Sequence, residues 1–110
     1  MSLRDLPVAD RDIALQCLRY LLESRCFDEN EFHTRLGMYR AELAMVVSRW
    51  PKLEDEDPSH GDYLALNNCF NEVCNGLHFS STEWQKWFSA SRNAVCDAYT
   101  RWRQSLKTNA

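Results

Sequence analysis

Three histidines, five cysteines and sixteen carboxylates are the side chains of this chain able to support acid–base, nucleophilic or metal chemistry. Their spacing assembles none of these. His33, His60 and His78 stand far apart, and no nucleophile lies at a recognisable distance from a base. There is no CxxC and no Cys/His grouping at zinc spacing, so neither a metal nor a cofactor is expected. Cys69 and Cys74 lie five residues apart, which does not make an i, i+4 pair on a helix. We expect a protein that is not an enzyme.

Two polar clusters suit binding instead. Glu54, Asp55, Glu56 and Asp57 form one acidic run in a stretch holding two prolines and a glycine (PKLEDEDPSHG). Such a loop is solvated, and on a small protein it suits docking to a basic or polar surface, such as a basic toxin or regulator. Asn68, Asn71 and Asn75 recur at i, i+3, i+7 and share a helix face. Asparagine both donates and accepts, so that face suits a polar interface or hydrogen bonding between helices. The first expectation is therefore a protein-binding module of the inhibitor, immunity or adaptor kind.

The alternative is a nucleic-acid-binding regulator. The net charge is −3, which gives no general attraction to nucleic acid, but the C-terminal stretch from Trp84 is locally basic. There Lys86, Trp87, Arg92, Arg101 and Arg103 combine cations for phosphates with an aromatic ring for base stacking. Residues 32–43 (FHTRLGMYRAEL) hold an apolar residue, a Leu-Gly turn and a second apolar run carrying Arg40. This segment resembles the turn of helix-turn-helix DNA-binding proteins, departing from it at His33, where a small residue is usual, and at Tyr39, where a short capping residue is usual. The resemblance implies that the helix after the turn would meet DNA.

Hydropathy bounds the setting. Cys17, Cys69, Cys74 and Cys96 fall at apolar helical positions and Cys26 at a helix end, the pattern of reduced thiols in a cytoplasmic protein. No basic segment followed by an apolar stretch opens the chain and no apolar run approaches 18 residues, so neither a signal peptide nor a membrane span is expected.

The elements that would carry these residues are helical. Gly and Pro are scarce, three each, which disfavours a fold of many tight turns. Residues 1–9 read as a short leader, with Leu6 and Val8 packing on the body. Asp10 reads as an N-cap for a helix whose Ile13, Ala14, Cys17, Leu18, Leu21 and Leu22 form one stripe ending near Arg25. Asp28 with Glu31 resembles a capping box for a short helix that Gly37 stops. A third helix is expected from Arg40 to Trp50, ended by Pro51. After an exposed linker over 51–61, Asp62 should cap a helix closed by Gly76. Ser80 and Glu83 should open the next, and Ser91 the last, which continues to about Leu106 before a frayed tail.

Residues 10–50 laid on 62–102 without a gap share seven identities: Asp10/Asp62, Cys17/Cys69, Phe27/Phe79, Glu31/Glu83, Arg40/Arg92, Arg49/Arg101 and Trp50/Trp102. They fall where helices should start, stop or bury a large side chain. The expected fold is all-α within a single domain over 1–110. Its six helices form two tandem tri-helical units, about 10–50 and 62–106, related by a pseudo-two-fold axis. One such unit is too small to be stable alone. Phe27, Phe32, Trp50, Phe70, Phe79, Trp84, Phe88 and Trp102 are expected to build a shared core. Arg40 and Arg92 stand in the first turns of their helices, against the dipole. A carboxylate of the other unit, Glu31 or Glu83, is expected to compensate them.

Overall fold

A computed structural model of the chain describes residues 3–107. Among them are six α-helices and no strand: α1 (Val8–Glu23), α2 (Glu29–Leu36), α3 (Arg40–Ser48), α4 (Gly61–Asn71), α5 (Ser81–Trp87) and α6 (Arg92–Lys107). A 3-10 turn, Leu3–Asp5, precedes α1, and a π turn, Glu72–Gly76, extends α4. The expected frayed tail, from Thr108 on, lies outside the described residues.

Local chemistry accounts for most of the boundaries. The Asp28 carboxylate accepts from the Glu31 N–H at 2.8 Å, the Ser80 hydroxyl from the Glu83 N–H at 3.1 Å, and the Ser91 hydroxyl from the Ala94 N–H at 3.1 Å. Gly37 ends α2 at φ 70°, a conformation in which L side chains are strained. At the start of α3 the Tyr39 N–H donates to the Glu42 carboxylate.

Asp10 and Asp62 correct the expectation that both are caps. Pro7 stands at the N-cap of α1 and His60 at that of α4, so each Asp lies inside the first helical turn and is buried. Asp10 accepts two hydrogen bonds from Arg101, at 2.6 and 2.9 Å. Asp62 is paired with Arg49 and also accepts the Glu54 N–H at 2.9 Å.

α1 is the central element and packs against α3, α4 and α6; α4 in turn packs on α2, α3 and α6. The periodic stripe of α1 is buried at Ile13, Ala14, Cys17, Leu18 and Leu21, with Leu22 half-buried at its end; Leu66, Cys69 and Phe70 of α4 and Val95, Ala98 and Trp102 of α6 are buried too. Burying a ring of this size contributes on the order of 2–3 kcal/mol at area-based rates. Of the expected aromatic core, Phe32, Phe70, Phe88 and Trp102 are buried, whereas Phe27, Trp50, Phe79 and Trp84 are half-buried around its edge. Trp50 is displaced to the edge because α3 ends at Ser48, one turn-forming step before it. Leu6 packs inside, but Val8 faces out.

Cross-connections between distant segments close the structure. Gln16 on α1 brackets Ser89 after α5: its amide donates to the Ser89 hydroxyl at 2.9 Å and accepts the Ser89 N–H at 3.1 Å. Asn68 on α4 donates to the Leu36 carbonyl at the end of α2 at 2.8 Å. Cys74 and Cys96 form a disulfide that joins the π turn to α6, with Cα atoms 5.5 Å apart. This corrects the expectation of five reduced thiols: Cys17 and Cys69 are buried and free, and Cys26 is exposed and free.

Candidate functional site

The charged residues that the sequence marks for function divide into those turned inward and those left on the surface. Arg40 is half-buried. Its guanidinium donates to the carbonyls of Leu21, Leu22 and Phe27 at 3.4, 3.1 and 2.9 Å, and it pairs with Glu29 at 3.0 Å. Arg92 donates to the carbonyls of Val73 and Leu77 at 3.3 and 2.6 Å. The expected carboxylates, Glu31 and Glu83, are not their partners. The cations lie on the last carbonyls of α1 and of the π turn, where the helix ends present negative charge. Arg40 also covers the Phe32 ring and Arg92 the Trp84 ring, at 4.6 and 5.9 Å.

Arg101 is held by Asp10, whose hydrogen bond raises the guanidinium pKa further above its usual range. Lys86 and Arg103 are exposed, Lys86 over the Trp87 ring at 5.6 Å and Arg103 over Tyr99 at 5.5 Å. Trp87 is half-buried with its ring edge-on to Tyr20 at 5.3 Å, so it is not a free platform for a base. The basic residues of the C-terminal stretch are thus dispersed among internal contacts.

The acidic run behaves unevenly. Glu54, Glu56 and Asp57 are exposed. Asp57 accepts from the N–H and hydroxyl of Ser59, which lower its pKa. Asp55 is 2% exposed and corrects the reading of residues 51–61 as a wholly exposed linker. Its Oδ2 accepts the Leu3 N–H at 2.7 Å and the Trp102 indole N–H at 2.8 Å.

The asparagine face divides too. Asn68 is engaged with the end of α2, and neighbouring Asn67 accepts the Tyr99 hydroxyl at 2.7 Å. Asn71 and Asn75 are exposed and hydrogen-bond to each other at 2.9 Å.

Two surface features stand out from this sorting. The first is the outer side of α3 with the residue before it, where Tyr39 is 55% and Met45 62% exposed and Ala41 and Ala44 are exposed between them. A groove of about 770 Å³ runs from Tyr39, Ala41 and Ala44 to Leu22, Glu23 and Arg25 at the end of α1. The second is a cleft of about 770 Å³ between the Leu3–Asp5 turn with α1 and the segment from Arg49 to Asp62. Arg4, Arg11, Arg49 and Lys52 line it together with Glu54, Glu56 and His60. The sequence does not signal this cleft, because its cations come from positions 4, 11, 49 and 52 and share no period or motif.

Among the described residues no group of three or more His, Cys, Asp or Glu side chains is placed to hold a metal ion, and no helix is long and apolar enough to cross a membrane. In comparisons with protein families, curated proteins and solved structures, the chain matches none.

Proposed function

We propose that this protein is a non-enzymatic protein-binding module of the inhibitor, immunity or adaptor kind. The observation that carries the reading is the inversion on α3. The helix that would face DNA in a helix-turn-helix reader turns Arg40 into the molecule and leaves Tyr39, Ala41, Ala44 and Met45 outside. An exposed apolar helix side suits a protein partner; a polyanion needs cations there. Glu54, Glu56 and Asp57 add an exposed acidic loop that favours a partner with basic or polar groups, a basic toxin or regulator being the simplest kind.

The architecture we assign to this module is two tandem tri-helical units, 10–50 and 62–106, with pseudo-two-fold symmetry. Support comes from reciprocal contacts at the same offset of 52 residues as the sequence identities. Asp10 pairs with Arg101 while Asp62 pairs with Arg49. Gln16 and Asn68, themselves 52 residues apart, tie the ends of α5 and α2 through Ser89 and Leu36, a register one residue off that offset. Arg40 reaches the Leu21 carbonyl while Arg92 reaches that of Val73. The Cys74–Cys96 disulfide favours a compartment that keeps it oxidised. Cytoplasmic placement requires that the pair be reduced there, which thiol trapping in intact cells would reveal.

Affinity capture from the source cell tests the binding reading. It should recover a stoichiometric protein partner that Met45→Glu no longer retains while circular dichroism stays unchanged. Replacing Glu54, Glu56 and Asp57 by amides should remove the salt sensitivity of that binding. The nucleic-acid alternative replaces this reading if micromolar protein shifts DNA or RNA in a gel, if Arg103→Glu and Lys86→Glu abolish the shift, and if Met45→Glu does not.

A further inference from the structure

The geometry points to the cleft between the Leu3–Asp5 turn and the Arg49–Asp62 segment as a binding site for a single oxyanion, a carboxylate or a phosphate. This does not rest on the α3 reading and stands or falls separately. The cleft wall holds two buried carboxylates, and both already have hydrogen-bond partners. Asp62 is paired with Arg49, and Asp55 accepts the Leu3 N–H and the Trp102 indole N–H. The remaining cations are not matched: Arg4, Arg11 and Lys52 make no ion pair among the described residues.

Arg11 shows the imbalance at the level of one atom. Its Nε is screened from solvent and has no acceptor among the described residues. A buried donor without an acceptor is rare in native proteins and costs free energy. A guanidinium whose Nε is closed off still carries its two Nη groups, a fork that matches two oxygens of one carboxylate or phosphate. Arg4 and Lys52 on the same cleft supply further positive charge without a fixed geometry of their own.

Ligand classes can be separated on charge. A cation entering the cleft would meet Arg4, Arg11 and Lys52 against the two remaining carboxylates, Glu54 and Glu56, none of these five ion-paired among the described residues. An apolar ligand would strip water from those three groups and offer no acceptor. A polyanion would run across Glu54 and Glu56, both exposed at the cleft. One small oxyanion carries less charge past those two carboxylates than a polyanion and needs fewer cations to hold it. It has two sources, a free anion such as inorganic phosphate, or an acidic side chain presented by a protein partner.

Amide chemical shifts of the full-length protein distinguish these. The probes are inorganic phosphate and, separately, the blocked peptide acetyl-Gly-Gly-Glu-Gly-amide, each at constant ionic strength. Saturable shifts should concentrate at residues 3–11 and 49–62 with an apparent Kd of about 1 mM or tighter. Arg11→Gln should weaken this about tenfold or more, and Lys52→Gln, on an exposed side chain, serves if the Arg11 variant fails to fold. Arg103→Gln should change nothing. Saturation by phosphate alone identifies a free anion as the ligand, and saturation by the peptide alone an acidic side chain. Saturation by neither, or shifts that persist unchanged in both cleft variants, overturns the site.

Discussion

The indole N–H of Trp102 donates to the carboxylate of Asp55 at 2.8 Å, and the same oxygen receives the Leu3 N–H at 2.7 Å. One buried acid thereby links the last helix, the turn before the first helix and the segment between α3 and α4. The contact gives the polar edge of Trp102, the one fully buried tryptophan among the described residues, its acceptor.

Asp55→Ala removes the acceptor from two buried donors and should lower unfolding stability by about 2–4 kcal/mol. Asp55→Asn keeps an acceptor oxygen and should cost less than half of that. Urea unfolding followed by tryptophan emission reads both. Equal losses in the two variants would show that the hydrogen bonds are not what Asp55 contributes.

Arg101 and Arg49 should behave alike. Each pairs with a buried first-turn Asp while its own side chain stays about half exposed, 49% and 44%. Arg101→Ala or Arg49→Ala leaves that carboxylate without its cation and should cost roughly 1–3 kcal/mol, discounted for solvent on the Arg side. Double-mutant cycles with Asp10→Ala and Asp62→Ala should return favourable coupling for both pairs. Additivity in either cycle would remove that pair from the stabilising contacts.

Reduction of Cys74–Cys96 should lower stability by about 3 kcal/mol, the chain-entropy value for cysteines separated by 22 residues. A non-reducing digest should contain one linked peptide pair carrying Cys74 and Cys96, and the melting midpoint should fall on adding reductant. Cys74→Ala should lose that response and Cys26→Ala should keep it. A midpoint indifferent to reductant in the wild-type chain would contradict the bond.

Alkaline pH should unfold the protein for an identifiable reason. Burial raises the pKa of the Cys17 and Cys69 thiols and of the Tyr20 hydroxyl, which also donates to Glu83 at 2.9 Å. All three are held neutral in the folded state and ionise more easily once unfolded. Their contribution is complete below the ordinary values, 9.0 for a thiol and 10.0 for tyrosine, and is lost as pH rises through and beyond them. Each group adds a slope of about 1.4 kcal/mol per pH unit above its ordinary value. Tyr20→Phe should flatten the fall above pH 10 by one such step in a urea series, and an unchanged slope would discard this account.

What could be read along the chain was local. Asp28, Ser80 and Ser91 cap helices because a short acceptor three residues ahead of an N–H suffices, and Gly37 ends α2 through its own backbone freedom. Asp10 and Asp62 show where that reasoning stops. A carboxylate is favourable both at the cap and in the first turn. Which position it takes depends on Arg101 and Arg49, which approach from remote segments. Local composition likewise marks Asp55 as solvated, since its neighbours are acids and prolines.

The α1 stripe and the apolar side of α6 follow from helical period alone, because a stripe of that width must be covered wherever the helix lies. By themselves, residue order and type therefore determined an all-helical chain, most of its boundaries and the greater part of its core. Tertiary structure decided what each charged or sulfur-bearing side chain does. It turned Asp55 toward Trp102, set Arg40 and Arg92 on backbone carbonyls, joined Cys74 to Cys96 and gathered Arg4, Arg11 and Lys52 around one cleft. The reason is reach. A cap or a stripe is satisfied within one or two helical turns, whereas an ion pair, a disulfide or a cleft needs groups that only the packing of whole helices brings together.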